Sequence, residues 1–405
     1  MNFSEIVNNV ISKLGKTEID SKIAGICIPV PAFSTRVLLQ NEGFFLGKVI
    51  HIVGEESSFK STFSLEIARW HLLSEGGAVI FETESRPVVD VQRAALSDEN
   101  RYACISCSSL DEWQSGILYI IKEYQADSGK KPLCMIVDSV LGCNTQDTIR
   151  KQESEGASGP RYATESRTIA DYLRSHTNKL FSSLMTLVLV NHRKMRPSGN
   201  FWSPQPVKSS LGGSEIRFYS SYEFELSRQG DPKNSLNSLY QHEVTFKVLK
   251  NTFGIQDFIL RCPVRFVKQG ATLVSVEFDW YTASINILTS DRFFNPPLSQ
   301  ANKKLIKEVC DIQAKSAGPR GTYFWCPQLG VSKENAVPPK ELGRILEEHK
   351  DILDVLYDVF GIRRRYLYNP SLTFEENLNN SYLFEKNYNN VEEVKANVIA
   401  EEENE

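Results

Sequence analysis

The stretch Gly54-Glu-Glu-Ser-Ser-Phe-Lys60-Ser61 decides the fold of this chain, because it separates a strand-like run from a helical pattern. Before it, Lys48–Val53 reads KVIHIV and is strand-like; after it, Lys60–Leu73 is predicted to be a helix. The turn nearly matches the phosphate-binding pattern G-x-x-x-x-G-K-[S/T], in the strand–turn–helix context which that pattern requires. It therefore predicts a nucleotide site. The residues expected to bind the nucleotide here are Gly54, Glu55, Glu56, Ser57, Ser58, Phe59, Lys60, Ser61 and Thr62.

The chemistry of this turn is that of an anion cradle, in which backbone N–H groups and the positive end of a helix dipole face the phosphates. We expect the Lys60 ammonium to reach the outer phosphates and the Ser61 hydroxyl to bind Mg²⁺. Phe59 stands where the pattern has glycine. A phenylalanine fits this position only if the loop needs no positive φ there. The alternative, a polar turn with a surface lysine, leaves the coincidence of strand, turn and helix unexplained.

Two strand-like runs after the turn lead into carboxylates. Asp138 closes the apolar run Leu133–Val137, a position from which an acidic side chain can hold Mg²⁺. Glu82 and Glu84 follow the run Ala78–Phe81. Because open α/β sheets bind ligands at the carboxyl ends of their strands, we expect Glu84, the outer of the two, to activate the water that attacks the terminal phosphate. Two merely solvated carboxylates are the alternative.

The order of the elements predicts an α/β fold with a mostly parallel central sheet and helices on both faces. Apolar strand runs alternate with helical patterns as far as Leu184–Val190. Three strand-like runs with tight links then predict an antiparallel extension of the sheet, at Tyr222–Ser227, Glu243–Leu249 and Phe258–Val267. Further helices are expected at Leu110–Tyr124, Thr164–Ser182, Leu298–Lys315 and Lys340–Phe360.

Four segments are expected along the chain. Residues 1–35 hold a short amphipathic helix at 3–14 and a linker, suited to docking on a neighbouring subunit or to packing on its own core. Residues 36–291 form a nucleotide-hydrolysing core with its ligand-binding loops. Residues 292–370 are a small, mostly helical C-terminal domain, and residues 371–405 are an acidic, Asn-rich tail that we expect to be flexible.

Charge is unevenly placed along the chain. The formal net charge is −4 over 405 residues; nine Glu and two Lys from Ser371 onward give −7, so residues 1–370 carry +3. A mildly basic body with an acidic end is common in DNA-binding proteins, although such an end can serve solubility alone. No apolar run approaches the roughly 18 residues of a membrane helix. Eight mostly scattered cysteines and the lack of a signal-peptide pattern favour a reducing, cytoplasmic location.

A long irregular segment between Val190 and Gly212 has the composition of a contact for single-stranded nucleic acid. About 20 residues without periodicity are more than a compact domain ordinarily carries without a functional reason. Cationic side chains neutralise phosphates, and aromatic rings stack on bases. A plain surface loop is the alternative. The DNA-binding residues expected here are Arg193, Lys194, Arg196, Phe201, Trp202, Lys208, Gly212 and Gly213.

Two further segments are candidates for DNA contact. Residues 144–165 would form a first DNA loop of mixed charge, in which Arg161 is the expected DNA-binding residue. Arg363-Arg364-Arg365 could collect duplex DNA, or could simply supply favourable charge after a helix.

These motifs resemble those of a known family. GEESSFKSTF, FETES, MIVDS, LVNHRKM and LGGSEIRFYSSYEFELSR occur in the order and spacing of the RecA-like recombinases, from about residue 34 to 270 and more loosely to about 360. The S-F-K-S of the turn, the Asn191-His192 pair and the acidic C-terminal end look closest to the phage UvsX branch. The resemblance implies a RecA-like P-loop NTPase core and a phage-encoded protein that acts in the cytoplasm of the host cell.

The resemblance also implies roles for single residues. Lys60, Ser61 and Asp138 match the ATP–Mg²⁺ site of the family, in which Ser61 and Asp138 would be the metal ligands. Glu84 matches the glutamate that acts as catalytic base. His192 matches the residue that senses the γ-phosphate at the head of the second DNA loop, so the implied catalytic set is Glu84, Lys60 and His192.

The expected partner contacts follow from the same resemblance. Lys250 matches a lysine that reaches the neighbouring subunit's nucleotide, while Thr252 stands where the bacterial branch has a second lysine. Arg93 lies near the place of the tyrosine that covers adenine in that branch, which leaves the base preference open.

The sequence thus predicts a DNA-dependent ATPase that forms a helical filament on single-stranded DNA and promotes homologous pairing and strand exchange with double-stranded DNA. Its cofactors would be ATP and Mg²⁺, and single-strand-binding and mediator proteins are further expected partners. Two other classes stay open: a ring-forming RecA-fold ATPase of the helicase or KaiC type, and a DNA-binding mediator that binds ATP without useful turnover.

Overall fold

The computed structural model describes residues 25–84, 101–127, 129–140, 142, 144–155, 161–181, 183–196, 207–210, 213–229, 240–269, 272–316, 321–384 and 387. Numbered along the chain, its strands are β1 (Ile26–Pro29), β2 (Gly43–Phe45), β3 (Val49–Gly54), β4 (Gly77–Glu82), β5 (Tyr102–Ser106), β6 (Leu133–Asp138), β7 (Met185–Arg196), β8 (Val207–Ser210), β9 (Tyr222–Gln229), β10 (Tyr240–Asn251), β11 (Phe258–Gln269), β12 (Thr272–Phe278), β13 (Phe294–Asn295), β14 (Gln313–Ser316), β15 (Thr322–Trp325) and β16 (Tyr366–Leu367). Its α-helices are α1 (Phe33–Leu39), α2 (Lys60–Leu73), α3 (Leu110–Ala126), α4 (Gln146–Glu155), α5 (Arg161–Phe181), α6 (Gly213–Tyr219), α7 (Trp280–Thr289), α8 (Gln300–Val309), α9 (Pro339–Glu348) and α10 (Lys350–Phe360).

A mixed sheet of 11 strands forms the centre of the fold, in the order β12-β11-β10-β9-β3-β7-β6-β4-β5, with β13 beside β11 and β8 beside β7. From β9 to β5 all neighbours are parallel. From β9 to β12 all neighbours are antiparallel. The predicted parallel sheet with an antiparallel extension is therefore confirmed.

Each face of the sheet is covered by helices, because the central strands are apolar on both faces. One face packs against α2 through Phe63, Ile67 and Trp70. The other face packs against α3, α5 and α6, where Trp113 and Ile216 are fully buried. Helix α2 begins and ends at the predicted residues, directly behind the phosphate-binding turn. The carboxyl ends of β3, β4, β6 and β7 meet at one edge of the sheet as a result.

The chain after residue 291 packs on the same core as α1 and β1. Phe33 of α1 meets Phe360 edge-to-face, with ring centroids 5.2 Å apart, and Arg36 pairs with Glu347 at 2.7 Å. Strand β16 pairs with β1 in a second, three-stranded sheet. The domain boundary at residue 292 stays a prediction, since these contacts join the two parts without defining where one ends.

Two expected helices of this region differ from the structure. The helix predicted over Leu298–Lys315 ends at Val309, and the following residues form the hairpin β14–β15. The helix predicted over Lys340–Phe360 is interrupted at His349, so that it becomes α9 and α10.

The expected flexible tail is wrong in its first part. Residues 374–384 are helical, and Asn377 and Ser381 are fully buried there. The Asn377 side chain accepts from Asn369 N at 2.9 Å and from Tyr366 Oη at 3.0 Å, which fixes the preceding turn. The remainder from residue 388, like the predicted helix at residues 3–14, lies outside the described residues.

Both predicted DNA loops contain regular structure that the sequence pattern did not predict. The first, over residues 144–165, is largely helical, since it holds α4 and the beginning of α5. In the second, β7 continues to Arg196 and pairs antiparallel with β8, with Arg193 opposite Ser210 and Met195 opposite Lys208. Among the described helices, none is both long and apolar enough to span a membrane.

Candidate nucleotide-binding site

The turn between β3 and α2 is built around one glycine and one buried lysine. A Cβ on Gly54 would lie 2.4 Å from Leu226 O and 2.5 Å from Ser58 Oγ, so only glycine fits where the turn leaves β3. The Lys60 side chain is buried, with 5% of the residue exposed. Its Nζ donates to Glu55 O at 2.5 Å, which folds the turn back over the start of the helix. The result is a closed loop around an ammonium group at a helix N-terminus, the arrangement that suits phosphate.

Phe59 adopts a positive φ of 66°, so the condition under which phenylalanine was expected to fit this position is not met. A left-handed conformation is unfavourable for a residue with a Cβ. The ring is held from outside the turn: its centroid lies 5.8 Å from that of His242 and 6.2 Å from that of Phe266. These aromatic contacts from the antiparallel half of the sheet compensate for the missing glycine.

Two acidic side chains end neighbouring strands at the same edge of the sheet as this turn. Asp138 ends β6 and lies in register with Glu82, which ends β4. Glu82 is buried and accepts from Glu84 N at 2.9 Å, so it shapes the backbone that leads to Glu84. Asp138 and Glu82 therefore lie at the same edge of the sheet, and their roles toward a ligand stay predictions.

The oxygen atoms near the turn fit Mg²⁺ better than a softer metal. The Ser61 hydroxyl and the Asp138 carboxylate are hard oxygen donors, and Mg²⁺ in nucleotide sites takes most of its ligands from phosphates and water. In the part of the chain that the structure describes, no group of three or more His, Cys, Asp or Glu side chains surrounds a single point. A Mg²⁺ ion held by Ser61 and Asp138 would take its other ligands from phosphate and water.

Glu84 and His192 lie in contact, although they are 108 residues apart in the chain. His192 Nε2 is 3.2 Å from Glu84 Oε1, and both side chains are 16% exposed. Ser139 Oγ donates a short hydrogen bond to the same carboxylate oxygen. The Thr83 hydroxyl in turn holds the Ser139 backbone, accepting from its N at 2.8 Å and donating to its O at 2.7 Å. Ser139 and Thr83 were not predicted as site residues; their only signal was their place beside Asp138 and Glu84.

The predicted DNA-binding residues begin directly after His192. Arg193 pairs with Glu225 of β9 at 2.6 Å. For Lys194, Arg196 and Lys208 the structure describes the backbone, in the two arms of the β7–β8 hairpin. Gly213 and Arg161 are the first residues of α6 and α5. Phe201, Trp202 and Gly212 lie outside the described residues, as does Arg93.

Lys250 contacts its own chain in this structure. Its Nζ donates to Arg217 O at 2.7 Å and to Phe218 O at 2.9 Å, at the last turn of α6. Burial lowers the pKa of Lys250. A contact from Lys250 to a neighbouring subunit therefore stays a prediction, and it would require exchange of these two hydrogen bonds.

The run Arg363–Arg365 is largely engaged within the fold. Arg364 forms a short ion pair with Asp354. Arg365 Nε donates to Asn41 Oδ1 at 3.2 Å, and its guanidinium lies 5.3 Å from the ring centroid of Phe45. These contacts engage Arg364 and Arg365 within the fold, and collection of duplex DNA by the run stays a prediction.

Comparison with known proteins gives one consistent result. The family model described as the RecA N-terminal domain matches residues 4–258, which include the whole turn, Glu84, Asp138 and His192. Protein RecA of Chlamydia pneumoniae is 27% identical over 312 residues, which are 74% of this chain and 84% of that protein. Protein RecA of Syntrophus aciditrophicus is 27% identical over 242 residues, covering 60% and 66%. Protein RecA of an Arthrobacter species is 24% identical over 319 residues, covering 72% and 84%.

Proposed function

The chain belongs to the RecA family, and from that premise we propose that it is an ATP-dependent DNA recombinase. It would form a helical filament on single-stranded DNA and promote homologous pairing and strand exchange with a duplex. The observation that carries the proposal is the contact between Glu84 and His192, since His192 lies on the same strand as the predicted DNA-binding segment. His192, which would contact the terminal phosphate, would thereby move the part of β7 that would contact DNA.

ATP would be held by the turn from Gly54 to Thr62, with Lys60 at its outer phosphates. Mg²⁺ would be held by Ser61 and Asp138, and when bound it neutralises charge on the phosphate oxygens. Glu84 would accept a proton from the attacking water, which its place at the open edge of the sheet permits. Ser139, which donates to the same carboxylate oxygen, would keep that carboxylate oriented.

The switch between DNA-bound and released states would be run by His192. In the structure its Nε2 contacts Glu84. A bound triphosphate offers His192 a more strongly charged acceptor, and a shift toward it displaces the beginning of the β7 extension. Since β7 continues through Arg193 to Arg196 and pairs with β8, the whole hairpin would respond. This is an order–disorder or repositioning switch controlled by the γ-phosphate.

DNA contact would use cations and aromatic rings without covalent chemistry. Arg193, Lys194, Arg196 and Lys208 would neutralise phosphates, and Phe201 and Trp202 would stack on bases. Base pairing between the strands supplies the sequence recognition. Arg161 of the first loop, Gly212 and Gly213 complete the proposed DNA surface.

Within the family we propose the phage UvsX branch, acting in the cytoplasm of a host cell. Support comes from Phe59 in the turn, His192 at the head of the DNA segment and the acidic C-terminal end. Single-strand-binding and mediator proteins would be its partners on DNA.

The test measures ATP hydrolysis with and without single-stranded DNA for the wild type, Glu84→Gln and a matched surface control, Glu75→Gln. Glu75 forms an exposed pair with Lys131, so its substitution should leave turnover unchanged. We expect Glu84→Gln to lower DNA-stimulated hydrolysis about 100-fold or more, as for loss of a general base. ATP-dependent binding of single strands should survive in that variant.

Electron micrographs with ATP and single-stranded DNA separate the competing classes. We expect helical filaments. Closed rings would support the ring-forming ATPase instead, and DNA binding without turnover in the wild type would support the mediator. Absence of any triphosphate-dependent change in DNA affinity would exclude the recombinase.

A further inference from the structure

A row of buried polar side chains crosses three adjacent strands below the candidate site. His51 lies in the middle of β3, between Asn191 of the neighbouring β7 and Glu223 of the neighbouring β9. His51 and Asn191 are 0% exposed, and Glu223 is 4% exposed. Polar groups this deep in a sheet are unfavourable unless each has a partner, so their arrangement calls for a specific reason.

The hydrogen bonds fix the direction of the row. Asn191 Oδ1 accepts from His192 N at 2.9 Å, so the amide nitrogen of Asn191 faces the other way. That nitrogen lies 3.2 Å from His51 Nε2 and donates to it. His51 Nε2 is therefore an acceptor, and the imidazole proton is on Nδ1. His51 Nδ1 lies 3.3 Å from Glu223 Oε1, a close polar contact whose alignment is poorer than that of a full hydrogen bond.

Glu223 extends the row to the helix that follows the DNA segment. Its second oxygen, Oε2, pairs with Arg217 Nε of α6 at 3.1 Å. Burial alone would raise the pKa of Glu223, but His51, Arg217 and Arg193 together lower it, so the carboxylate is charged. Arg217 also donates to Leu249 O at 3.0 Å, next to Lys250.

Histidine suits this place because the two neighbours make opposite demands. Asn191 needs an acceptor on one side, and Glu223 needs a donor on the other. A neutral imidazole supplies both at fixed positions on one rigid ring. An aliphatic side chain would remove the His51 acceptor from the buried Asn191 nitrogen, and this would weaken the hold of the amide on the His192 backbone.

We propose that His51 is a positioning residue, which through Asn191 holds His192 in reach of Glu84 and through Glu223 joins it to Arg217 at α6. The inference rests on the proposed function, because its readout is ATP turnover coupled to DNA. No contact between His51 and the nucleotide is involved; the residue acts only through its two neighbours.

The chain offers a matched control on the opposite face of the same sheet. His71 of α2 is also 0% exposed. Its Nδ1 lies 2.8 Å from Ile67 O, and its Nε2 lies 3.1 Å from Thr186 Oγ1 of β7. It therefore matches His51 in residue type, burial and number of polar contacts, and it touches the same strand without touching Asn191 or His192.

The experiment compares His51→Leu with His71→Leu in steady-state ATP hydrolysis with single-stranded DNA. We expect His51→Leu to lower kcat about tenfold to 100-fold, as misplacement of a catalytic group does, while KM for ATP changes less than about twofold. His71→Leu should lose thermal stability to a similar extent and change kcat less than about twofold. Equal kcat values in the two variants would overturn the inference.

Two milder variants cover the case in which His51→Leu does not fold. Glu223→Gln keeps the shape and an acceptor but loses the charge, and it should lower kcat about threefold at unchanged KM. His51→Gln offers an amide oxygen and nitrogen in place of the imidazole and should restore most of the kcat lost in His51→Leu. Wild-type kcat in Glu223→Gln, or no difference between His51→Gln and His51→Leu, would contradict the inference.

The outcomes separate this inference from the proposed function. A wild type without DNA-stimulated hydrolysis overturns the proposed function, and the inference with it. An active wild type that is inactivated by Glu84→Gln, together with an unaffected His51→Leu, overturns the inference alone.

Discussion

A buried lysine lies just outside each end of strand β3, and the two lysines have different surroundings. Lys60, at the carboxyl end, is 5% exposed, and Lys48, at the amino end, is 6% exposed. Lys60 donates to Glu55 O and lies 3.4 Å from Ser58 Oγ. The Lys48 ammonium instead lies 5.1 Å from the ring centroid of Phe181 and 5.5 Å from that of Phe253.

The difference shows that burial of a cation is not by itself a sign of function. At the amino end of the sheet, burial lowers the pKa of Lys48 to about 8, so its charge is unfavourable in the fold. At the carboxyl end, the Lys60 ammonium instead has the oxygen atoms of Glu55 and Ser58 as partners, and Lys60 begins a helix. The two lysines therefore differ in the chemistry of their neighbours and not in their degree of burial.

The largest expected effect is on ATP turnover. Lys60→Ala removes the cation that would face the outer phosphates, and we expect hydrolysis with single-stranded DNA to fall about 100-fold to 1000-fold. Lys48 is equally buried and directly precedes strand β3, and Lys48→Met should leave kcat and KM within about twofold of the wild type. A comparable loss in both variants would mean that folding, and not phosphate binding, explains the effect at Lys60.

The next effect is on stability, and it has the opposite sign. Lys48→Met replaces a buried ammonium by an apolar side chain of similar length, and we expect the free energy of unfolding at pH 7 to rise by about 2 kcal/mol. The pKa difference alone would give about 3 kcal/mol, and the lost contact with the two rings offsets about 1 kcal/mol. Urea denaturation of wild type and variant measures it, and an unchanged or lowered stability would contradict it.

The same pair gives a pH dependence. The pKa of Lys48 is lowered from 10.5 to about 8 in the fold, so between these values the unfolded chain binds more protons. Stability due to this group therefore rises with pH from 8 toward 10.5, and the unfavourable contribution is fully present below pH 8. The stability difference between Lys48→Met and the wild type should shrink over this window, and a difference independent of pH would show that Lys48 has its ordinary pKa.

The elements that the sequence predicted well are those with a strong local signal. The buried runs of β3, β4 and β6 follow from continuous apolar stretches, and the beginning of α2 follows from the turn before Lys60. Glu84 and Asp138 could be placed at one edge because parallel strands bring their carboxyl ends together. Local pattern and sheet geometry together were sufficient for these residues.

The features that sequence missed depend on contacts between distant strands. Nothing local to His51 shows that Asn191 and Glu223 flank it, since these lie 140 and 172 positions further along the chain. The β7–β8 hairpin escaped prediction because its arms are polar and lack the alternation of a half-buried strand. The contacts of the Phe59 ring could not be predicted either, because they come from His242 and Phe266 on strands distant in sequence.

The smallest expected effect tests that support. Phe59→Gly and Phe59→Ala both remove the ring contacts, but only glycine adopts the φ of 66° without penalty. We expect Phe59→Gly to be more stable than Phe59→Ala by about 1 kcal/mol in urea denaturation, because the two differ only in the Cβ at a left-handed position. Equal stabilities would show that the turn relaxes to negative φ once the ring is gone. In that case the aromatic contacts of Phe59 impose the positive φ on the turn. A clear advantage of glycine would mean that the turn requires a positive φ even without these contacts.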